Sequence, residues 1–157
     1  MKTILVISDT HGAKMKMTAA VRRFPDADMI FHLGDTSRDA DYIRTITDKP
    51  VCSVRGNCDL GSDAETELAL SVEGVKILLV HGHKHNVKSS LLGLGIFAQE
   101  QEANIALFGH THVPTVQFWN GIQLCNPGSL GEPRMHPATV GLLTVDRGAA
   151  SFKTVKI

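Results

Sequence analysis

Five short apolar runs punctuate the first two thirds of the chain: Ile4–Ile7, Met29–Leu33, Val51–Val54, Ile77–Val80 and Ile105–Phe108. Within a residue or two each meets Gly, Asp or His. Largely apolar runs of this length predict strands buried on both faces. Between them, Met17, Ala20, Val21 and Phe24 recur at i, i+3, i+4 and i+7, which predicts a helix that Pro25 ends. Ala40, Ile43 and Ile46 predict a second, shorter helix. Val87 to Gln101 predicts a third, with Leu91, Leu92 and Ala98 on its packed side. Strand–helix–strand connections at these spacings imply a largely parallel sheet, whose C-terminal strand ends are expected to face one crevice.

After Pro114 the pattern changes. Thr115–Trp119 and Ile122–Cys125 flank Asn120-Gly121, a pair suited to the two positive-φ positions of a type I′ hairpin. Ala138–Val145 and Ala150–Ile157 flank Asp146-Arg147-Gly148 and predict a second hairpin, while Glu67–Val72 before Gly74 predicts a further antiparallel strand. The reading is α/β, with antiparallel strands added toward the C-terminus to give two packed sheets. No repeat, low-complexity tract or linker divides the chain, so one domain over residues 1–157 is expected.

Composition narrows the function classes. Sixteen Lys+Arg balance sixteen Asp+Glu, and 43% of residues are apolar. That excludes a charged disordered tail and argues against a broad nucleic-acid surface, which needs clustered cationic excess. Cys52, Cys58 and Cys125 are an odd set without a CxxC, so a disulfide framework is not expected. Only four apolar residues follow Met1-Lys2-Thr3, too few for a secretory core of about 7–15. Leu91 to Ala98 is far short of the ~20 residues that span a bilayer. A cytoplasmic protein without a membrane association is the expectation.

The chemistry lies just after the apolar runs. Asp9-Thr10-His11 follows the first and Gly34-Asp35 the second. Gly56-Asn57-Cys58-Asp59 follows the third, His81-Gly82-His83 the fourth and Gly109-His110-Thr111-His112 the fifth. Taken singly, Asp-Thr-His, Gly-Asp and Gly-Asn are ordinary cap or turn residues. Five successive strand ends carrying carboxylate, amide or imidazole donors are not explained by independent turns. Oxygen and nitrogen donors without a thiolate set suit Mn, Fe, Ni or Zn. There are more donors than one tetrahedral ion uses, so a pair of divalent ions is the economical reading.

This order of groups resembles the calcineurin-like metallophosphoesterases, and among them the small YfcE-type phosphodiesterases. The family order D-x-H, GD, GN, H, GHxH is matched by Asp9/His11, Asp35, Asn57, His81 and His110/His112, and Asn126-Pro127-Gly128-Ser129 resembles the family's closing loop. The resemblance implies a four-layer α/β sandwich of two mixed β-sheets flanked by helices. It also implies two divalent ions per chain, manganese first, with nickel, iron or zinc as alternatives. One ion would take Asp9, His11, Asp35 and His112, the other Asp35, Asn57, His81 and His110, with Asp35 shared. The implied reaction is hydrolysis of a small phosphodiester by in-line attack of a hydroxide held between the ions; a homo-oligomer is compatible with it.

The sequence departs from the larger members of the superfamily at Cys58, which stands where they carry a substrate-contacting histidine. A thiol there is a candidate proton donor, although ordinary structural packing is the plainer reading. His83 is a candidate for assisting substrate or leaving group, and Arg134 for meeting a phosphate oxygen. His85 is read as a solvated loop residue, His136 as loop, His32 as a satisfied core histidine, and Cys52 and Cys125 as strand packing. The alternatives are a catalytically silent, Vps29-like interaction scaffold, or a phosphomonoesterase or nucleotide hydrolase of the same fold. His81-Gly82-His83-Lys84-His85-Asn86 only partly matches the metallo-β-lactamase motif, and 157 residues are too few for a typical amidohydrolase barrel of ≈ 250.

Overall fold

A computed structural model describes all residues from 1 to 157. In chain order its elements are β1 (Lys2–Ile7), α1 (Lys14–Arg23), β2 (Met29–His32), α2 (Ser37–Ile46), β3 (Val51–Ser53), β4 (Glu67–Val72) and β5 (Val75–Val80). A short 3-10 turn, His83–His85, then precedes α3 (Leu92–Glu100), β6 (Ile105–Leu107), β7 (Thr115–Trp119), β8 (Ile122–Asn126), β9 (Thr139–Asp146) and β10 (Ala149–Lys156).

The strands form two mixed five-stranded sheets, ordered β10-β9-β1-β2-β3 and β4-β5-β6-β8-β7. Alternation along each buried strand builds the layers. Ile4 and Val6 of β1 face the second sheet and meet Ile77, Leu79, Ile105 and Leu107, while Leu5 and Ile7 pack under α1 and α2. Leu78 and Val80 of β5 and Ala106 of β6 face the other way, against Leu94 and Ala98 of α3. Helices therefore cover the outer face of each sheet, and every central strand is apolar on both sides. No helix is long and apolar enough to cross a membrane.

Three two-residue hairpins shape the sheets' antiparallel parts. Asn120-Gly121 joins β7 to β8 with φ of 47° and 78°, as the sequence predicts. Glu73-Gly74 and Arg147-Gly148 use the same positive pair to join β4 to β5 and β9 to β10.

Two expectations are corrected. The five ligand-bearing strand ends do not belong to one parallel sheet: β1, β2 and β3 lie in the first, β5 and β6 in the second. The crevice is the seam between two sheets packed face to face. The third helix starts at Leu92, not Val87. Val87 is drawn into the core beneath α3, Asn86 takes a left-handed φ of 53°, and the Leu92 amide donates to Ser90 Oγ at 3.0 Å.

Candidate metal centre

The loops leaving β1, β2, β5 and β6 turn back sharply into the seam. Asp9, His11, Asp35, His110 and His112 all have left-handed backbone, with φ between 38° and 68°. A non-glycine residue pays about 1–2 kcal/mol for that conformation. Cross-loop hydrogen bonds hold it: the Asp9 amide donates to Gly34 O at 3.0 Å, the Thr10 amide to Asp35 O at 3.0 Å, and the Gly109 amide to His81 O at 2.9 Å. The Asn126–Ser129 loop closes the arrangement. Asn126 Nδ2 donates to Gly109 O at 3.0 Å, and Ser129 Oγ donates to Asp9 O at 2.8 Å.

Six of the seven predicted ligands form two groups. Asp9, His11 and His112 make one, Asp35, His81 and His110 the other, and within each group the donor atoms lie within 4.8 Å of one another. Asp9 Oδ1 is 3.2 Å from His112 Nε2 in its own group and 3.9 Å from His81 Nε2 in the other. Asp35 Oδ2 is 3.3 Å from His81 Nε2. The seventh, Asn57, is exposed, its Nδ2 3.8 Å from Cys58 Sγ, and the amide of Cys58 next to it donates to Asp35 Oδ1 at 3.0 Å.

The hydrogen bonds aim particular atoms at the seam. His81 Nδ1 donates to Leu33 O at 2.8 Å and His112 Nδ1 to Glu132 O at 2.6 Å, which leaves each Nε2 lone pair directed inward. Asp9 Oδ2 accepts from Ser8 Oγ at 2.6 Å and from the His110 amide at 3.0 Å, leaving Oδ1 free. Asp9 Oδ1, His11 Nε2 and His81 Nε2 are buried with no hydrogen-bond partner. A buried polar atom without a partner costs about 1–3 kcal/mol. Carboxylate and imidazole atoms left open in this way fit a divalent cation.

Close packing restricts the loops to glycine at Gly109. A Cβ there would stand 2.6 Å from Asp9 Oδ2 and overlap Ser8 Oγ. Gly109→Ala must displace the Asp9 carboxylate, so at least tenfold weaker metal binding by the first group is expected from titration calorimetry, the scale seen when a ligand's orienting contacts are lost.

Residues 1–148 match the family model of the calcineurin-like phosphoesterase superfamily domain. The chain belongs to that superfamily. It is 34% identical over 152 residues to the probable metallophosphoesterase YsnB of Bacillus subtilis, covering 96% of this chain and 88% of that one. It is 26% identical to the phosphodiesterase YfcE of Escherichia coli, over 93% and 89% of the two chains. A crystal structure of a predicted phosphoesterase from Streptococcus pneumoniae superposes with a TM-score of 0.81 at 28% identity, over 99% of this chain and 89% of that one. Vps29 of Entamoeba histolytica shares the fold, with a TM-score of 0.75 at 20% identity over 99% of each chain.

Charge in the seam is arranged in pairs. Burial opposes ionisation of Asp9, yet His112 Nε2 at 3.2 Å from its Oδ1 and the field of His81 hold it below the ordinary carboxylate range. Asp35 is likewise lowered, against burial, by His81 and by the Cys58 amide. Burial works against protonation of His81, but Asp35 and Asp9 raise it, and the neighbouring Asp9 carboxylate raises His112. His110 is pushed down to about 4 by burial and by His81.

The remaining sequence candidates fall in different places. His83 lies beside the second group, its ring 5.5 Å from His81 and 6.3 Å from His110, with Nδ1 buried and unpartnered. Cys58 is exposed, and its amide donates to Asp35 Oδ1 at 3.0 Å. Burial and Asp35 raise its thiol, which keeps it protonated. Arg134 is exposed, and its charge opposes protonation of His112. His85 is not solvated: it stacks on Phe97 at 4.6 Å and its Nε2 is 3.2 Å from Glu67 Oε1. His136 lies in a loop, as predicted, and is exposed, and Cys52 and Cys125 pack into the inter-sheet core.

Two buried carboxylates escaped the sequence reading. Asp59 takes the Asp35 amide at 3.2 Å, the Gly56 amide at 2.7 Å and the Ser37 amide, so one side chain ties together the loops after β2 and β3. Its position three residues after Gly56 is a turn signal that could have found it. Asp39, on α2, accepts from Thr10 Oγ1 and from the Gly12 amide across the fold, with no local signal. A surface cavity of about 750 Å³ is lined by Arg38, Arg44, Cys58 and Leu60 among others and includes none of the seven predicted ligands.

Proposed function

We propose that this chain is a single-domain phosphodiesterase that works with two divalent ions, manganese first and nickel, iron or zinc as alternatives, on a small phosphodiester. The observation that carries the reading is the set of buried, unpartnered atoms in the seam, Asp9 Oδ1, His11 Nε2 and His81 Nε2. The likeness to YfcE, named a phosphodiesterase, supports the choice of diester over monoester.

The first ion would be held by Asp9, His11 and His112, the second by Asp35, His81, His110 and Asn57, with Asp35 shared between them. Such ions supply Lewis acidity toward the phosphoryl oxygens and a nucleophilic hydroxide at neutral pH. The chain's own contribution is to fix the donors before substrate arrives. Ser8 and the His110 amide orient Asp9, while the Leu33 and Glu132 carbonyls orient His81 and His112. Arg134 would meet a phosphate oxygen at the mouth, and His83 Nδ1 would face the leaving group from the side of the second ion.

Open ligand atoms suit a scaffold of the same fold as well, since Vps29 of Entamoeba histolytica is found in complex with zinc, so turnover and not ion binding separates the two readings. The deciding experiment is a screen of metal-loaded protein across phosphodiesters, phosphomonoesters and nucleotides. Diester turnover that depends on added metal is expected; hydrolysis confined to monoesters would overturn the diester assignment.

The raised thiol at Cys58 leads to a separate expectation. General-acid assistance is typically worth about 10²–10⁴-fold for a poor leaving group and far less for a phenolate. Bis(p-nitrophenyl) phosphate should turn over efficiently and simple alkyl diesters poorly, and Cys58→Ala should keep most of the aryl-diester activity. A leaving-group series on both proteins, with metal content checked, tests it. A flat dependence in wild type that becomes steep in Cys58→Ala would identify the thiol as an effective acid.

A further inference from the structure

Thr10 stands between Asp9 and His11 in the chain, and its hydroxyl belongs to a buried line of hydrogen bonds that the candidate chemistry does not use. The direction of the line follows from its end. The Gly34 amide can only donate, so its 3.3 Å contact makes His32 Nδ1 the acceptor. Fully buried and pushed down to about 4, the His32 ring is neutral and carries its proton on Nε2, which donates to Thr10 Oγ1 at 2.9 Å. The Thr10 proton then goes to Asp39 Oδ2 at 2.6 Å, and the same oxygen accepts the Gly12 amide at 2.7 Å.

The two ends of this line have consequences for the site. Gly34 immediately precedes Asp35 of the second ligand group, and Gly12 immediately follows His11 of the first. Both glycines are left-handed, with φ of 99° and 80°, so each end of the line fastens a turn that aims a ligand. His32, Thr10 and Asp39 are all buried, which removes water as a competing partner. We propose that Thr10, His32 and Asp39 are positioning residues whose hydrogen-bonded line sets the spacing of the two ligand groups. The proposal rests on the two-ion reading and adds to it the residues that hold the pair apart.

Thr10→Val is the most direct test, because it removes the hydroxyl while nearly keeping the volume. Thr10→Ser restores the hydroxyl, and Asp39→Asn keeps an acceptor while deleting the charge. Each protein is loaded with Mn²⁺ and followed by titration calorimetry and by the exchange-coupled electron paramagnetic resonance signal of a close Mn pair. Wild type and Thr10→Ser are expected to bind two ions with a coupled spectrum. In Thr10→Val at least one ion should bind about 10–100-fold more weakly, the range found when residues that orient metal ligands are changed. At matched occupancy its coupling should also change, which a general loss of stability would not produce. Asp39→Asn is expected to shift in the same direction and serves if the valine protein does not fold. A Thr10→Val protein with wild-type affinities and unchanged coupling would overturn the spacing role alone. A wild type that never holds two ions would overturn the two-ion reading and this role with it.

Discussion

Replacing Asp35 with alanine is expected to cost both ions and to lower diester turnover by at least about 10³-fold, equivalent to several kcal/mol of lost Lewis-acid stabilisation. Asp35 Oδ1 holds the Cys58 amide at 3.0 Å, and Oδ2 faces His81 Nε2 at 3.3 Å, so the carboxylate is fixed at the second group. Under the proposed shared role, its loss also removes a ligand from the first ion. His112→Ala should behave differently. It takes one imidazole from the first group and leaves Asp35, His81 and His110 together. Elemental analysis combined with anomalous scattering from Mn-soaked crystals separates the cases: both positions depleted in Asp35→Ala, one in His112→Ala. Equal depletion in the two proteins would remove the ground for a shared Asp35.

Acid should destabilise the metal-free protein well before its carboxylates protonate. His32 is fully buried, and burial lowers it from 6.5 to about 4 in the fold. Between those values the unfolded chain binds the proton and the folded chain does not, so stability falls as pH falls through this window. The full contribution is about 3 kcal/mol by pH 4. His110, also lowered to about 4 but partly open to solvent, adds a smaller loss of the same sign. His81 and His112 act oppositely: their raised values stabilise the fold below 6.5, and that contribution is lost as pH rises through them. Urea unfolding from pH 7 to pH 4.5 should show a falling stability that flattens in His32→Gln. An unchanged slope in that variant would mean that His32 titrates normally.

Much of the architecture is written in local patterns. Strands with apolar residues on both faces have to be covered twice, and the runs at Ile4–Ile7 and Ile77–Val80 are covered by a helix on one side and the opposing sheet on the other. Asn120-Gly121 announces its hairpin because few other pairs accept two positive φ values. Glu73-Gly74 and Arg147-Gly148 perform the same turn, and their glycines are the only local clue to it. The start of α3 was less legible, since Val87 continues an apolar helical pattern but is claimed by the core before the helix begins.

The donor types and their order along the chain are likewise sequence properties, because each donor follows the end of an apolar strand run. Which atom of each donor points inward is decided by contacts distant in sequence. The orientation of Asp9 depends on the His110 amide, that of His81 on the Leu33 carbonyl, and that of His112 on the Glu132 carbonyl. The division of the ligands into two groups has the same origin, since the loops that bring them together leave different sheets. Asp39 shows the limit most clearly. In the sequence it is one acidic residue in the first turn of a helix; folding buries it and sets it against Thr10 and Gly12. Periodicity reports which side chains must leave water, whereas a buried hydrogen bond between distant loops exists only once both have been placed.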